Sequence, residues 1–253
     1  MVREFIICGV FRNLIRYYAR RVISGRERLK RIHGPVLFVA NHSSHVDTPL
    51  LLGTLPFGWR QRTAVVAAAD YFYWSRVLAA TVSLSFATVP LDRRSGRGST
   101  RSTASLEPLV DKGWSLVMFA EGTRSRDGHV GQLRVGAATL AAEHGLPIVP
   151  VHVEGTHSAM PVGRKWMVRP EGRRFGRRTI GITFGEPIQV GPDDDPFEVM
   201  ERVRLFMASC GAETTADPKL AERRAVAALA AGAEPAGAGA AGAAGASGSA
   251  RPS

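Results

Sequence analysis

The feature that most constrains this chain is an alternation. Short apolar runs take turns with stretches whose apolar residues recur at helical spacing. VLFVA (36–40), TAVVAAA (63–69), ATVPL (87–91), SLVMFA (115–120) and PIVPVHVEG (147–155) read as strands. TIGITFGEPI (179–188) is a late strand with a period of two. Between them, residues 48–55, 71–80, 106–112, 136–143 and 197–209 read as helices, with Asp70 placed to cap the second and Gly145 to stop the fourth. Strands alternating with helices predict an α/β domain with a mainly parallel central sheet covered by helices. No apolar run is long and uncharged enough to span a bilayer.

Open α/β sheets hold ligands at the C-terminal ends of their strands. Three polar clusters fall there: NHSSHVD (41–47), LDRR (91–94) and AEGTRS (120–125). His42 and Asp47 are five positions apart, which is not one face of a regular helix. With His42 in the turn and Asp47 in the first helical turn, the carboxylate can fold back onto one imidazole nitrogen. The other nitrogen is then free to act as a base. His42 and His45 as metal ligands would need a third ligand, and no such spacing is present. Ser43 and Ser44 lie outside the G-x-S-x-G elbow of a nucleophilic serine. In the third cluster Gly122 allows close backbone approach, Thr123 and Ser125 offer donors, and Arg124 suits a phosphate. Arg93 has the same character.

A net charge of +11, carried mostly by arginine, points to an anionic partner: phospholipid, a phosphorylated small molecule or nucleic acid. Residues 2–23 read as an amphipathic helix. Ile7, Val10, Phe11, Leu14, Tyr18 and Val22 form one stripe, and Arg12, Arg16 and Arg20 the other. A basic amphipathic helix fits a membrane interface as well as an ordinary domain surface. A second concentration of arginine lies at 164–178. Cys8 and Cys210 have no metal or redox spacing, as in a reduced cytosolic compartment. The Ala/Gly-rich end reads as a disordered tail over 211–253.

NHSSHVD, VPLDR (89–93), FAEGTRS (119–125) and LPIVPV (146–151) resemble, in order and spacing, the motif blocks of the glycerolipid acyltransferases, above all the bacterial 1-acyl-glycerol-3-phosphate acyltransferases. The resemblance covers about residues 25–190. One departure is Ala120, where the family usually has proline. The resemblance implies an acyltransferase domain over 25–210 behind a membrane-associating helix over 1–24. It implies His42 as the general base and Asp47 as its orienting partner. Arg93, Glu121, Gly122, Thr123 and Arg124 would bind the glycerol-phosphate of a lysophosphatidate acceptor, with Pro150 on the acyl-donor side. Acyl-CoA or acyl-carrier protein would be the co-substrate, with no metal or other cofactor and no covalent enzyme intermediate. The expected location is the cytoplasmic face of the cell membrane, peripheral or monotopic. Two alternatives are the same chemistry on a lyso-ornithine lipid or glycolipid, and a non-enzymatic basic module. The second would leave the His42–Asp47 pair unexplained, and the basic stretches lack the interleaved aromatics of single-strand nucleic-acid binding.

Overall fold

A computed structural model of the protein describes residues 2–68, 86–91, 106–164, 166–170 and 176–230. The helix expected at 71–80 lies outside them. Residues up to Asp217 form one compact unit, and the chain from Pro218 forms a second. The strands are β1 (Ala19–Ser24), β2 (Leu37–Ala40), β3 (Thr63–Ala68), β4 (Thr88–Leu91), β5 (Ser115–Phe119), β6 (Ile148–Glu154) and β7 (Arg178–Phe184). The α-helices are α1 (Val2–Glu4), α2 (Arg12–Tyr18), α3 (Asp47–Thr54), α4 (Phe57–Gln61), α5 (Glu107–Asp111), α6 (Gly136–His144), α7 (Thr156–Ala159), α8 (Pro196–Ser209) and α9 (Pro218–Ala230).

The strands make one sheet in the order β1-β7-β6-β2-β5-β3-β4. Every neighbouring pair is parallel except β6 and β7. The sheet is mainly parallel, as the alternation predicts. Central β2 lies between β5 and β6, and Leu37, Phe38, Val39 and Ala40 are all fully buried. Both of its faces are covered, which is why that run is continuously apolar. Alternate side chains divide between two cores. Phe38, Ala40, Val117 and Val151 pack with Leu50 and Leu51 of α3 and with Ile7 and Ile15. Leu37, Val39, Leu116 and Ile148 pack with Leu140 of α6 and with Val203 and Met207 of α8.

The reading of residues 2–23 as one helix is corrected by the structure. The helical segment ends at Tyr18, with a π-helical stretch, Phe5–Phe11, between α1 and α2. Residues 19–24 are instead β1, paired in parallel with β7, so that Ala19 lies opposite Arg178. Tyr18 and Val22 are four apart by coincidence, and β-branched Val22 and Ile23 find a ladder far away in sequence. The tail also differs. Its described part holds helix α9, where Pro218 suits the first turn and the alanines have high helix propensity.

The β6–β7 reversal sets the direction of the sheet's β1 edge. β1 and β7 run opposite to β2, so they begin at the end of the sheet where β2 finishes. At the other end, Arg3 Nη2 donates to the carbonyl of Thr63, the first residue of β3, at 2.6 Å. The N-terminal helical segment therefore runs the height of the sheet, reaching the β2 C-terminal end at Tyr18.

Candidate active site

β2 ends at Ala40, and the loop after it is built by its own polar residues. The Asn41 amide donates to the Val153 carbonyl at 2.8 Å and accepts from the Val153 N–H at 2.7 Å. His42 follows at once. Its N–H donates to Glu121 Oε1 at 2.7 Å, and its carbonyl accepts from the Ser125 N–H at 2.7 Å. The two loops at the ends of adjacent parallel strands, β2 and β5, are thus bonded to each other through the backbone of His42.

Asp47 opens α3 and is fully buried. Its Oδ2 lies 2.8 Å from His42 Nδ1 and accepts from the N–H groups of Ser43 at 2.7 Å and Ser44 at 2.8 Å. The two amides hold that carboxylate in place at the first turn of the helix. That carboxylate holds the proton on Nδ1 and leaves the Nε2 lone pair free. The ring of Phe119 stacks on the imidazole at 4.2 Å between centroids, so one face of the histidine is covered. Sequence reasoning missed Phe119, which reads as one more apolar strand residue.

Both serines of the loop already have partners. Ser43 Oγ pairs with Thr156 Oγ1 at 2.9 Å, and Ser44 Oγ donates to the Met160 carbonyl at 2.9 Å. They fix the loop to α7 and the turn after it.

Glu121 is buried, with one carboxylate oxygen on the His42 N–H and the other accepting from the Gly131 N–H at 3.0 Å. Burial pushes its carboxyl above the usual carboxylate range, and the two amide bonds only partly oppose this. Both of its oxygens are thus engaged by protein amides. Gly122 has φ +77°, and a Cβ there would meet Arg134 Nε at 2.9 Å. The glycine is needed for a left-handed turn under the Arg134 side chain. Thr123 is exposed and Arg124 half-buried. The ring of His45 is held below the ordinary histidine value, first by partial burial and then by the charges of Arg124 and His42. Arg124 directly precedes Ser125, whose N–H bonds the His42 carbonyl, so its backbone borders the His42 loop. An open cavity of about 280 Å³ adjoins, lined among others by Glu121, Thr123, Ser125 and Arg126. Arg93 lies outside the described residues.

Pro150 sits inside β6, level with Val39, and is buried. Its carbonyl accepts from the Gly185 N–H at 2.8 Å, just past Phe184, where the β6–β7 ladder stops. A proline has no N–H to give there, and the end of the ladder demands none. Ala120 makes the opposite use of its position. Its N–H donates to the Ala40 carbonyl at 3.2 Å, a bond that proline could not make.

The sequence pattern of the acyltransferase family matches residues 20–154, from β1 through the end of β6. The chain belongs to the acyltransferase family. His42, Asp47 and Glu121, paired at the ends of β2 and β5, lie within the matched region. A chloroplastic 1-acyl-sn-glycerol-3-phosphate acyltransferase of Brassica napus is 35% identical over 141 residues, 56% of this chain and 39% of the relative. A 1-acyl-sn-glycerol-3-phosphate acyltransferase of Chlamydomonas reinhardtii is 33% identical over 188 residues, 74% of this chain and 52% of the relative. This chain thus spans about half the length, or less, of these two relatives. The crystal structure of the 1-acyl-sn-glycerophosphate (LPA) acyltransferase of Thermotoga maritima shares the fold, with a TM-score of 0.60 at 21% identity. It covers 82% of this chain and 79% of its own. Within the acyltransferase fold, an imidazole with one nitrogen fixed and the other free is equipped to take a proton from a hydroxyl.

Proposed function

We propose that this protein transfers a fatty acyl group from acyl-CoA or acyl-carrier protein to the sn-2 hydroxyl of 1-acyl-glycerol-3-phosphate, giving phosphatidic acid. The observation that carries the reading is the 2.8 Å contact between His42 Nδ1 and Asp47 Oδ2, at the end of a central parallel strand. The names of the relatives support the acceptor.

In this reading His42 Nε2 takes the acceptor's hydroxyl proton as the oxygen attacks the thioester carbonyl. Asp47 stabilises the imidazolium that forms. The tetrahedral adduct collapses, the C–S bond breaks, and the leaving thiolate takes the proton back from Nε2. No enzyme-bound acyl group arises, because the neighbouring serines hold the loop. Arg124 and Arg93 bind the acceptor phosphate, and Gly122 and Thr123 shape the turn beside it. Glu121 contributes by fixing the His42 loop. No metal or cofactor is required by these steps. Pro150 shapes the acyl-donor side through the packing of β6.

Acceptor and product are lipids, so the site works at a membrane surface. Among the described residues no helix is long and apolar enough to cross a membrane. Peripheral attachment at the cytoplasmic face fits a donor such as acyl-CoA.

The test is transfer of labelled oleoyl-CoA to a panel of lysolipids in vesicles, comparing wild type with His42→Ala. Product from lysophosphatidate that disappears in the variant is expected. Transfer surviving His42→Ala would remove the mechanism. Transfer confined to a phosphate-free lysolipid would remove the acceptor assignment.

A further inference from the structure

Three arginines meet in a cavity that the transfer chemistry does not use. It is about 500 Å³, lined by Asn13, Arg16 and Tyr17 of α2 and by Arg169 and Arg177 ahead of β7. The Arg169 guanidinium lies 4.6 Å from the Tyr17 ring centroid and 5.7 Å from that of Tyr18, so two aromatic faces orient it. Arg177 Nη1 donates to the Arg16 carbonyl at 3.4 Å, tying α2 to the approach to β7. Arg21, just inside β1, is held below the usual arginine value by partial burial and then by the charges of Arg12 and Arg16. Among the described residues, no carboxylate lies within ion-pair distance of Arg16 or Arg177. Guanidinium groups as close as those of Arg16 and Arg177 repel each other, and a bound anion would relieve that repulsion.

The position of the cavity separates it from the acceptor cluster. Ala40 is level with Val151, Glu154 lies three residues further along β6 opposite Gly181, and Arg178 is three residues beyond that. At about 3.3 Å per residue, the start of β7 stands roughly 20 Å past the end of β2. It is at the His42 end of the sheet, but on the β1 side, away from Glu121 on the β5 side. In its lining, Tyr17 is 61% exposed and stands beside Tyr18. Such half-polar rings suit the water–lipid boundary.

We propose that this cavity binds the phosphate of an anionic phospholipid that is not the acceptor, holding the His42 end of the sheet against the membrane. Paired guanidinium forks recognise a phosphate diester or monoester by parallel hydrogen bonds. Only the source of the phosphate, a lipid rather than a soluble ester, rests on the proposed function at a membrane surface.

The test uses the full chain and reads binding, not acyl transfer, so failure of the transferase reading would leave its result standing. Vesicles of phosphatidylcholine, alone or mixed with phosphatidylglycerol, are co-sedimented with wild type, Arg16→Gln/Arg177→Gln and the control pair Arg62→Gln/Arg202→Gln. The cavity pair is expected to weaken binding to mixed vesicles about tenfold or more, and the control pair by less than about twofold. Arg16→Lys/Arg177→Lys, which keeps the charge but loses the forks, is expected to fall between them. Equal weakening by both glutamine pairs would reduce the cavity to diffuse surface charge and overturn the proposal. Isothermal titration with adenosine 3′,5′-bisphosphate forms the second arm. Loss of that binding with mixed-vesicle binding intact would assign the site to a soluble phosphate and overturn the lipid source. Thermal melts matched to wild type keep misfolding from passing as lost binding, and the lysine pair replaces the glutamine pair if the latter does not fold.

Discussion

The side chain of Asn41 pairs with the backbone of Val153 as though it were one more residue of β2. Its amide both donates to and accepts from the same residue, at 2.8 and 2.7 Å. The ladder between β2 and β6 thus continues past the last strand residue, into the position that precedes His42. Asn41→Ala would leave a buried N–H and a buried carbonyl without partners, at about 1–3 kcal/mol each. The expected outcome is a lower melting temperature together with a lower kcat. Asn41→Asp keeps the acceptor but sets a carboxylate oxygen against the Val153 carbonyl, so it should be no better than alanine. An aspartate variant with wild-type stability and rate would show that the pairing does not hold the loop.

Asp47 holds the imidazole through one oxygen that also receives two loop amides. Asp47→Asn keeps the size of the side chain and loses the charge that stabilises an imidazolium. A fall of about 10³–10⁴ in kcat is expected for a base deprived of its carboxylate, with a smaller change in KM for the acceptor. Steady-state kinetics on vesicle-presented lysophosphatidate reads both. A variant that loses acceptor affinity and keeps kcat would place Asp47 in binding.

Glu121 separates positioning from acceptor binding. Its oxygens meet the N–H groups of His42 and Gly131. In Glu121→Gln the new NH2 must face one of those donors, which costs about 1–3 kcal/mol and displaces the loop. If Glu121 positions His42, kcat falls and KM for lysophosphatidate changes little. A KM effect alone would restore the acceptor contact that the family resemblance implies.

The sheet was legible because its central strands are buried on both faces, which writes them as unbroken apolar runs such as 36–40 and 115–120. The His42–Asp47 pair was legible for a different reason: both groups lie within one loop, and spacing alone brings them into reach. What escaped was non-local. β1 reads as helix because its partner, β7, lies about 160 residues away and no local pattern announces it. The partners of Glu121, an amide in the β2 loop and another ten residues on, are backbone groups that any sequence supplies. Nor does anything in the motif containing Gly122 point to Arg134, whose side chain packs over the turn. The helix at Pro218–Ala230 is hidden by composition: alanine-rich sequence reads as lacking a core, whereas alanine is also the strongest helix former.

His152 gives the acid side of stability a named group. It lies in β6, 6% exposed, and burial holds its ring below the ordinary value of 6.5, with the Glu154 carboxylate only partly opposing. In the unfolded chain the ring titrates near 6.5. Below that pH the unfolded state binds a proton that the folded state refuses, so stability is complete above 6.5 and declines as pH falls toward the folded value. The slope from one such group is at most about 1.4 kcal/mol per pH unit. His45, shifted in the same direction, adds its own share. His152→Leu removes one of these protons and leaves the carboxylates to titrate lower down. Urea unfolding at several pH values between 7.5 and 5, on the order of the histidine range, should therefore show a shallower decline in the variant. Parallel curves for the two proteins would mean that His152 is protonated in the fold as readily as outside it, and that the acid sensitivity belongs to another group.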